Sequence, residues 1–367
     1  MMVRPSTALL ALAMTALFTP PSDSSAQADA TAGAALKEVA PFPVGNAIWV
    51  KRYQKDGAMR DLLLTHFDRV TANNEMKMHF IARRPGKLSF RSADRVMSFA
   101  RRHDLRVFGH ALIWHSATPD WVKELGAKDP QALDAFMKRY IQTYVGRYRG
   151  EIDGWDVVNE AMNTSGPGYR ESIWYQALGK EYIAKAFRYA HEADPDATLF
   201  YNDFNIERDG EKLDTALEMI AELQADGVPI SGLGFQMHIR MDISNDVIEE
   251  ALRKGAATGL QIHLSEVDII FNRHDDSFGG GEQIYDEVTD EMLAQQGDKY
   301  RQLVEIYRRV VPEEQQYGIT FWGFNDGDSW IRGFFDLQDW PCLFDDELQP
   351  KPAFFGFREG LGSQLED

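Results

Sequence analysis

The chain has 367 residues, and its 57 acidic side chains against 39 basic ones give a formal net charge of −18. That charge argues against nucleic acids and anionic membrane surfaces as partners, because binding phosphate groups requires clusters of Lys and Arg. Aromatic residues make up 12% of the chain, which argues against a disordered protein and indicates a globular one.

The first 28 residues have the three parts of a secretory signal peptide. Arg4 gives a positive start, residues 8–18 form an apolar run, and Ala28 ends a small-residue stretch typical of a cleavage site. The apolar run is too short to span a bilayer, although a short amphipathic anchor is the alternative. We therefore expect a secreted or periplasmic protein, cleaved near Ala28. Cys342 is the only cysteine, so no intramolecular disulfide can form.

Residues 29–40 form an Ala-rich stretch that we interpret as a linker, and residues 361–367 as a C-terminal tail. Between them, residues 41–360 contain no Pro- or Ser-rich break, which indicates one domain. In this domain short apolar runs typical of strands alternate with amphipathic segments typical of helices. These runs lie near residues 43–50, 68–76, 106–114, 154–160, 198–204, 232–238, 261–269 and 318–324.

Alternating strands and helices predict parallel strands joined by helical crossovers. Eight strand-like runs in one domain favour an α/β fold, a single (β/α)8 TIM barrel. An open doubly wound sheet is the alternative, but it usually carries G-x-G-x-x-G after the first strand, and this chain does not. One helix is predicted over 129–150, with Asp129 as its N-cap, Pro130 in its first turn and an aromatic stripe that packs on the sheet.

Reactive residues of a TIM barrel collect at the C-terminal ends of its strands. Seven predicted strands have polar residues at that end. Helix capping at each strand end separately would not explain why all seven do so. The stretches are NNEMK (73–77), GHALIWH (109–115), VVNE (157–160), YNDFN (201–205), FQMH (235–238), LSEVD (264–268) and FWGFNDGDSW (321–330).

Glu160 and Glu266 end the fourth and seventh strands, which lie across the bore from each other. Two carboxylates flanking a cavity are what cleavage of a glycosidic bond requires. Period-two alternation places Glu266 and Asp268 on one face of strand seven, and Gln236 and His238 on one face of strand six. His238 can therefore contact both carboxylates and favour the ionised form of Glu266. Glu160 follows a more apolar strand, where desolvation favours the protonated form that an acid needs.

Aromatic residues at the strand ends are typical of a sugar site. Trp114, Trp322 and Trp330 can stack on sugar rings while Lys77 bonds the hydroxyl groups, although packing of the barrel mouth would also explain them. Asp156 faces the same side of its strand as Glu160, deeper in the bore, and is expected to support the site.

A catalytic metal is the alternative chemistry for the acidic and histidine residues. No pair of them has the H-x-H or H-E-x-x-H spacing that indicates zinc, so we expect neither a metal nor another cofactor. The residues considered as ligands are His110, His115, His238, His263, Glu266 and Asp268.

The motifs WDVVNEAM, LFYNDFN, GLGFQMHI, LSEVDI and ITFWGFNDGDSW resemble the signatures of glycoside hydrolase family 10, the retaining endo-β-1,4-xylanases. GHALIWHSATPDW and LFDDELQPKPAF are similar to further segments of that family, and the resemblance runs in order over about residues 41–360. It implies that xylan is the substrate and that double displacement is the mechanism. Glu160 would then be the acid/base and Glu266 the nucleophile, with carboxyl groups about 5–5.5 Å apart.

The resemblance also implies roles for the surrounding polar and aromatic residues. Asn159 would bond the 2-hydroxyl of the sugar at the cleavage point, and His238, supported by Asp268, would tune the nucleophile. The implied substrate-binding residues are Lys77, Asn74 and His110 for the glycone side, Gln236 and Asn202 for the acid/base side, and Trp114, Trp322 and Trp330 for stacking.

The sequence departs from the family pattern at two positions. Asn73 stands where the family has a glutamate, and Ala117 stands where it has a glutamine. Both family side chains bind the second sugar on the glycone side, so their loss puts recognition of that sugar in doubt. Endo cleavage and cleavage from a chain end therefore both stay open. The alternative substrates are short or decorated xylo-oligosaccharides, aryl glycosides and β-glucan, and a further alternative is a non-catalytic sugar-binding protein. We expect a monomer.

Overall fold

The computed structural model describes residues 33–274 and 281–363. In these residues eight parallel strands close into a barrel in which each strand pairs with its neighbour in sequence and the last pairs with the first. The predicted (β/α)8 fold is therefore confirmed. The strands are β1 Val44–Ile48, β2 Arg69–Ala72, β3 Arg106–Gly109, β4 Gly154–Asn159, β5 Thr198–Asp203, β6 Gly232–Phe235, β7 Gln261–Ile270 and β8 Gln316–Phe321.

Helices follow the strands and supply the crossovers that parallel pairing requires. The helices are Leu36–Val39, Val50–Lys55, Gly57–His66, Met78–Ile81, Arg91–His103, Asp120–Lys128, Pro130–Arg147, Ile173–Leu178, Glu181–Ala193, Gly210–Ala225, Asn245–Ala256, Asp290–Val310, Trp330–Phe335 and Pro352–Gly362. Short strands extend some of the loops at Ile113–Trp114, His238–Arg240, Arg273–His274 and Gly281–Glu282.

The helix Pro130–Arg147 shows how local sequence sets an element. The side chain of Asp129 accepts a hydrogen bond from the Ala132 amide at 3.0 Å, and Pro130 occupies the first turn. The predicted aromatic stripe is buried, and Tyr144 packs edge-on against Trp155 of β4 with ring centroids 5.0 Å apart. The helix therefore packs on the barrel, as predicted, and contributes to its core.

Aromatic side chains fill the inside of the barrel below its mouth. Phe108, Phe200 and Tyr317 form a buried cluster, with the rings of Phe200 and Tyr317 4.6 Å apart. His263 packs edge-on against Phe108, at 4.7 Å. This layer fills the bore below the polar strand ends, as side chains do in the packed interior of a TIM barrel.

A helix lies within the predicted linker, residues 29–40. Leu36–Val39 is a helix, and Leu36 is fully buried in the main hydrophobic core. The linker therefore cannot extend to residue 40, because the apolar Leu36 belongs to the barrel domain. The predicted signal peptide (1–28) and residues 364–367 of the predicted tail lie outside the described residues. Among the residues that are described, none of the helices is long and apolar enough to cross a membrane.

Candidate active site

Glu160 and Glu266 are joined by hydrogen bonds at the mouth of the barrel. Glu160 is the first residue after β4, and Glu266 lies in β7. Asn202 of β5 donates Nδ2 to Glu266 Oε1 and to Asn159 Oδ1, both at 2.9 Å. Asn159 in turn donates its Nδ2 to Glu160 Oε1 at 3.2 Å. The fold therefore brings the two predicted carboxylates to one site through two intervening amides.

Glu266 is buried among groups that favour its ionised form. His238 Nε2 lies 3.4 Å from Oε2, and His110 Nδ1 lies 4.0 Å from Oε1. Burial acts to raise the pKa of Glu266, but His110, His238 and the ammonium of Lys77 outweigh it and hold the pKa below its ordinary value. This arrangement suits a carboxylate that must stay charged at the acidic end of the working range.

His238 contacts both carboxylates, as its alternation on the neighbouring strand predicted. Its Nδ1 lies 2.9 Å from Asp268 Oδ2, opposite the contact to Glu266. Burial acts to lower the pKa of His238, but Asp268 and Glu266 outweigh it and raise the pKa to about 10. Trp330 donates its indole Nε1–H to the same Asp268 oxygen at 2.8 Å, which orients both side chains. His238 is therefore a cation fixed beside Glu266.

Glu160 has polar contacts, which differ from the apolar surroundings expected from the sequence. Gln236 Nε2 and Asn159 Nδ2 each donate to Oε1 at 3.2 Å. His115 Nδ1 lies 3.9 Å from Oε2, and burial lowers the pKa of His115 to about 3, so this imidazole is neutral. The Glu160 backbone has φ of +57°, a conformation uncommon outside glycine that is frequent at functional sites.

Asn202 contacts both sides of the site. Its side chain is fully buried, and it donates to Asn159, which contacts Glu160, as well as to Glu266, so it lies between the predicted acid/base and the predicted nucleophile. Its Oδ1 accepts from Ser265 Oγ at 2.6 Å. Gly234 pairs with Asn202 across the strands, and a Cβ there would lie 2.3 Å from that oxygen. Glycine is therefore required at this position of β6.

Lys77 lies between two of the predicted tryptophans. Its Nζ is 4.6 Å from the ring centre of Trp114 and 5.4 Å from that of Trp322. Burial lowers the pKa of Lys77 to about 8, although the charges of Glu266 and Glu160 act in the opposite direction. These contacts hold a donor at the site in a fixed position.

His110 is oriented by Asp156, which the alternation of β4 placed deeper in the bore. The two side chains meet at 2.7 Å between Nδ1 and Oδ2, and both are buried. Burial raises the pKa of Asp156 to about 6, with the hydrogen bond from His110 acting against it. The His110 ring also packs edge-on against Trp322 at 5.2 Å.

The two positions that depart from the family pattern lie in different surroundings. Asn73 is half-buried, and its Oδ1 accepts from Asn74 Nδ2 at 2.9 Å. Ala117 is buried at the end of a short 3-10 turn, His115–Ala117. Only Asn73 therefore presents a polar side chain at the edge of the site.

Asp203 and Lys212 support the site, although the sequence pattern did not predict this role. They form an ion pair with both side chains fully buried, 2.8 Å between Nζ and Oδ1. Asp203 also accepts from the Met162 amide at 3.4 Å and from the Tyr201 hydroxyl. This pair ties the start of the helix Gly210–Ala225 to the segment that follows Glu160. A lysine at a helix position that is otherwise apolar was the signal that could have indicated it.

Metal-ligating side chains do not cluster in the part of the chain that the structure describes. No group of three or more His, Cys, Asp or Glu residues in 33–274 and 281–363 is arranged to hold an ion. His263, one of the ligands considered, instead lies inside the barrel with its Nε2 2.9 Å from Thr320 Oγ1.

Comparison with known proteins places this architecture in a family. The sequence profile of glycosyl hydrolase family 10 matches residues 34–359. The chain belongs to glycosyl hydrolase family 10. Family members with solved structures share the fold: a GH10 structure from Paenibacillus barcinonensis has a TM-score of 0.79 at 33% identity, covering 89% of this chain and 96% of that one. A mutant of xylanase 10C from Cellvibrio japonicus in complex with xylopentaose has a TM-score of 0.84 at 31% identity, covering 90% of this chain and 69% of that one.

Curated relatives from the same family are similar over most of this chain. Endo-1,4-beta-xylanase A of Cellvibrio japonicus is 37% identical over 358 residues, which are 90% of this chain and 57% of that protein. Endo-1,4-beta-xylanase B of Thermotoga neapolitana is 36% identical over 331 residues, 89% of each chain. This chain thus spans little more than half the length of the Cellvibrio relative.

Removing the buried lysine should destabilise this family 10 barrel strongly. Lys212→Met leaves Asp203 buried without its partner, and we expect a loss of about 3–5 kcal/mol in the free energy of unfolding. Urea denaturation followed by tryptophan fluorescence measures it. Lys254→Met, which breaks the exposed pair with Asp214, is the matched control and should change much less. Equal losses in the two variants would show that burial of the first pair is unimportant.

The charge of His238 should set the acidic limb of the activity profile. Because His238 holds the pKa of Glu266 low, His238→Gln keeps a hydrogen-bond donor but removes the charge, so that pKa rises. We expect the acidic limb of kcat/KM against pH to move to higher pH. The profile is measured with an aryl β-xylobioside for both proteins. A limb that stays in place while the rate falls would mean that His238 only positions the carboxylate.

Proposed function

We propose that this chain is a retaining endo-1,4-β-xylanase that cleaves internal bonds of xylan and needs no metal or cofactor. The observation that carries the proposal is that the two carboxylates at this site differ in burial and in the charge of their neighbours. Glu266 is buried beside Lys77 and two imidazoles, whereas Glu160 is partly exposed and contacts neutral groups. The similarity to the endo-1,4-beta-xylanases of Cellvibrio japonicus and Thermotoga neapolitana supports the choice of substrate.

In the first step, Glu266 attacks the anomeric carbon of the sugar at the cleavage point. Glu160 gives a proton to the glycosidic oxygen as the bond to it breaks, and a glycosyl ester forms on Glu266. His238 and Lys77 keep Glu266 ionised before attack, and they oppose protonation that would stop the reaction.

In the second step, Glu160 takes a proton from a water molecule, which attacks the same carbon from the opposite face. The ester to Glu266 breaks, and the product keeps the original configuration because two inversions have occurred. Asn159 is our candidate for the hydrogen bond to the 2-hydroxyl of the sugar. Its Nδ2 donates to Glu160 here and would donate to the sugar when substrate binds. Its Oδ1 is held by Asn202 and Gln236, so the amide cannot rotate freely.

Binding of the glycone is assigned to the side chains around Lys77. We propose that Lys77, His110 and Asn74 donate to hydroxyl groups and that Trp114, Trp322 and Trp330 contact sugar faces. The positions of these rings around Lys77 and His238 support this assignment.

Analysis of the products that the wild-type protein forms tests the proposed substrate. Chromatography of digests of glucuronoxylan, arabinoxylan, linear xylo-oligosaccharides and cellulose should show xylo-oligosaccharides of intermediate length early in the reaction. Faster sugar release from cellulose would favour a β-glucanase. A single short product from the start would favour cleavage from a chain end, and binding without any product would favour a sugar-binding protein.

The second glycone subsite should be weaker than in relatives that carry the glutamate. Asn73→Glu restores the charged acceptor that the family pattern has at this position, and we expect kcat/KM for aryl β-xylobioside to rise about tenfold relative to that for aryl β-xyloside. The ratio isolates the second sugar, because the xyloside has only one. Asn73→Ala is the control and should leave the ratio near its wild-type value or lower it. An unchanged ratio in Asn73→Glu would contradict this assignment.

We also propose that the protein acts outside the cytoplasm as a monomer. The support is the signal-peptide pattern of residues 1–28, which lies outside the described residues, and the solubility expected from a net charge of −18.

A further inference from the structure

Trp49 is an exposed tryptophan at the mouth of the barrel. It directly follows β1 and is 44% exposed, one of the few large hydrophobic side chains at the surface of the described residues. In that part of the chain it packs against no other aromatic ring or cation. A large apolar side chain left open beside a sugar cleft is available for stacking.

Strand alternation places Trp49 on the side of β1 that faces the bore. Ile48 belongs to the core packed outside the barrel, whereas Gly45 faces inward, where a Cβ would lie 2.6 Å from Thr320 Oγ1. Ala47 and Trp49 follow Gly45 at intervals of two residues, so they share its inward face.

Asn73 occupies the equivalent position on β2. Ile48 pairs with Ala72, and the Asn73 amide donates to the Ile48 carbonyl at 2.9 Å. Trp49 and Asn73 therefore form the next pair after Ile48 and Ala72, on strands about 4.8 Å apart. Arg69 and Thr71 alternate with the outward-facing core residue Val70, which puts Asn73 on the inward face as well.

The helix Val50–Lys55, which starts directly after Trp49, is held by contacts to both neighbouring strand ends. The Val50 amide donates to Glu75 Oε1 at 3.1 Å, which joins it to the segment after β2. Arg52 forms an ion pair with Asp328 in the segment after β8. The backbone on which the indole stands is thus held in place, which lowers the entropy lost when a ligand binds.

We propose that Trp49 is the stacking platform for the second sugar on the glycone side, an inference that rests on the proposed function. Xylose carries no hydroxymethyl group at C5, so one face of its ring offers C–H groups to a flat aromatic surface. At this position the chain lacks the charged and amide side chains that the family pattern provides, since Asn73 and Ala117 replace them. Apolar contact with Trp49 takes the place of those hydrogen bonds and makes binding of this sugar less dependent on its hydroxyl groups.

The test compares two aryl glycosides that differ by one sugar. For Trp49→Ala we expect the ratio of kcat/KM for aryl β-xylobioside to that for aryl β-xyloside to fall about tenfold, as truncation of an aromatic anchor does. Trp49→Phe keeps a smaller ring and should retain most of the ratio. Tyr285→Ala, which removes another exposed aromatic side chain (42% exposed), is the matched control and should leave the ratio unchanged.

Either of two results would overturn the role of Trp49. A ratio unchanged in Trp49→Ala would mean that the indole does not contact the second sugar. Equal losses on both substrates would mean that Trp49 acts on the whole site through structure. Failure of the wild-type protein to cleave either substrate would instead count against the proposed function, so the two failures are distinguishable.

Discussion

Glu266→Ala should lower kcat on xylan and on aryl β-xylobiosides by about 10⁴-fold or more, the scale seen when an enzyme loses its nucleophile. The variant lacks the oxygen that forms the bond to the anomeric carbon, and no neighbouring carboxylate can replace it, because Asp268 is held by His238 and Trp330. Initial rates with both substrates measure the loss. Added azide can attack the substrate directly, so any product that it rescues should have the inverted, α configuration.

The control for this variant is Glu250→Ala, which removes an exposed carboxylate from the helix Asn245–Ala256. It should retain wild-type rates. Circular dichroism and binding of xylopentaose would show that Glu266→Ala is folded. Retention of more than a small fraction of activity by a folded Glu266→Ala protein would contradict double displacement through this residue.

Glu160→Ala should lower the rate by an amount that depends on the leaving group of the substrate. Loss of a general acid is expected to lower kcat on xylan about 10²- to 10⁴-fold, because the sugar leaving group needs a proton. A dinitrophenyl xylobioside needs no proton to depart, so its first step should persist and the glycosyl ester should accumulate, giving a burst of dinitrophenol.

Azide provides the second part of this test. It needs no general base, so it should accelerate turnover of the Glu160→Ala intermediate and give a β-xylosyl azide with retained configuration. Gln236→Ala, which removes a donor to Glu160 but not the carboxyl group itself, is the matched control and should show no burst. Equal losses on xylan and on the dinitrophenyl substrate would contradict the acid/base role.

Much of the fold and the position of the site could be predicted from the sequence, for a physical reason. Parallel strands buried by helices must be apolar, so a polar residue at the end of such an apolar run is easily recognised in the sequence. Glu160, Glu266 and the contacts of His238 followed from strand order and from period-two alternation. The structure confirms that these side chains come together.

The contact of Asn202 with Glu266, the polar surroundings of Glu160 and the ion pair of Lys212 could not be predicted, because they depend on details that a regular strand does not show. The register between β4 and β5 shifts between Asp156 and Val158, and this irregularity helps to decide which neighbours Asn159 and Asn202 meet. Asn202 also reaches Glu266 in β7, and Glu160 receives amide donors in place of apolar contacts. The buried ion pair of Lys212 depends on the fold as a whole, since its partner lies in another element.

Labelling of the nucleophile tests the central claim most directly. A 2-deoxy-2-fluoro-β-xylobioside with a dinitrophenyl leaving group slows both steps, but its leaving group lets the first proceed, so a glycosyl ester should accumulate. We predict inactivation with one label for each protein molecule, found by peptide mass spectrometry on Glu266. A label on any other residue, or release of dinitrophenol without a covalent adduct, would contradict the assignment of Glu266 as the nucleophile.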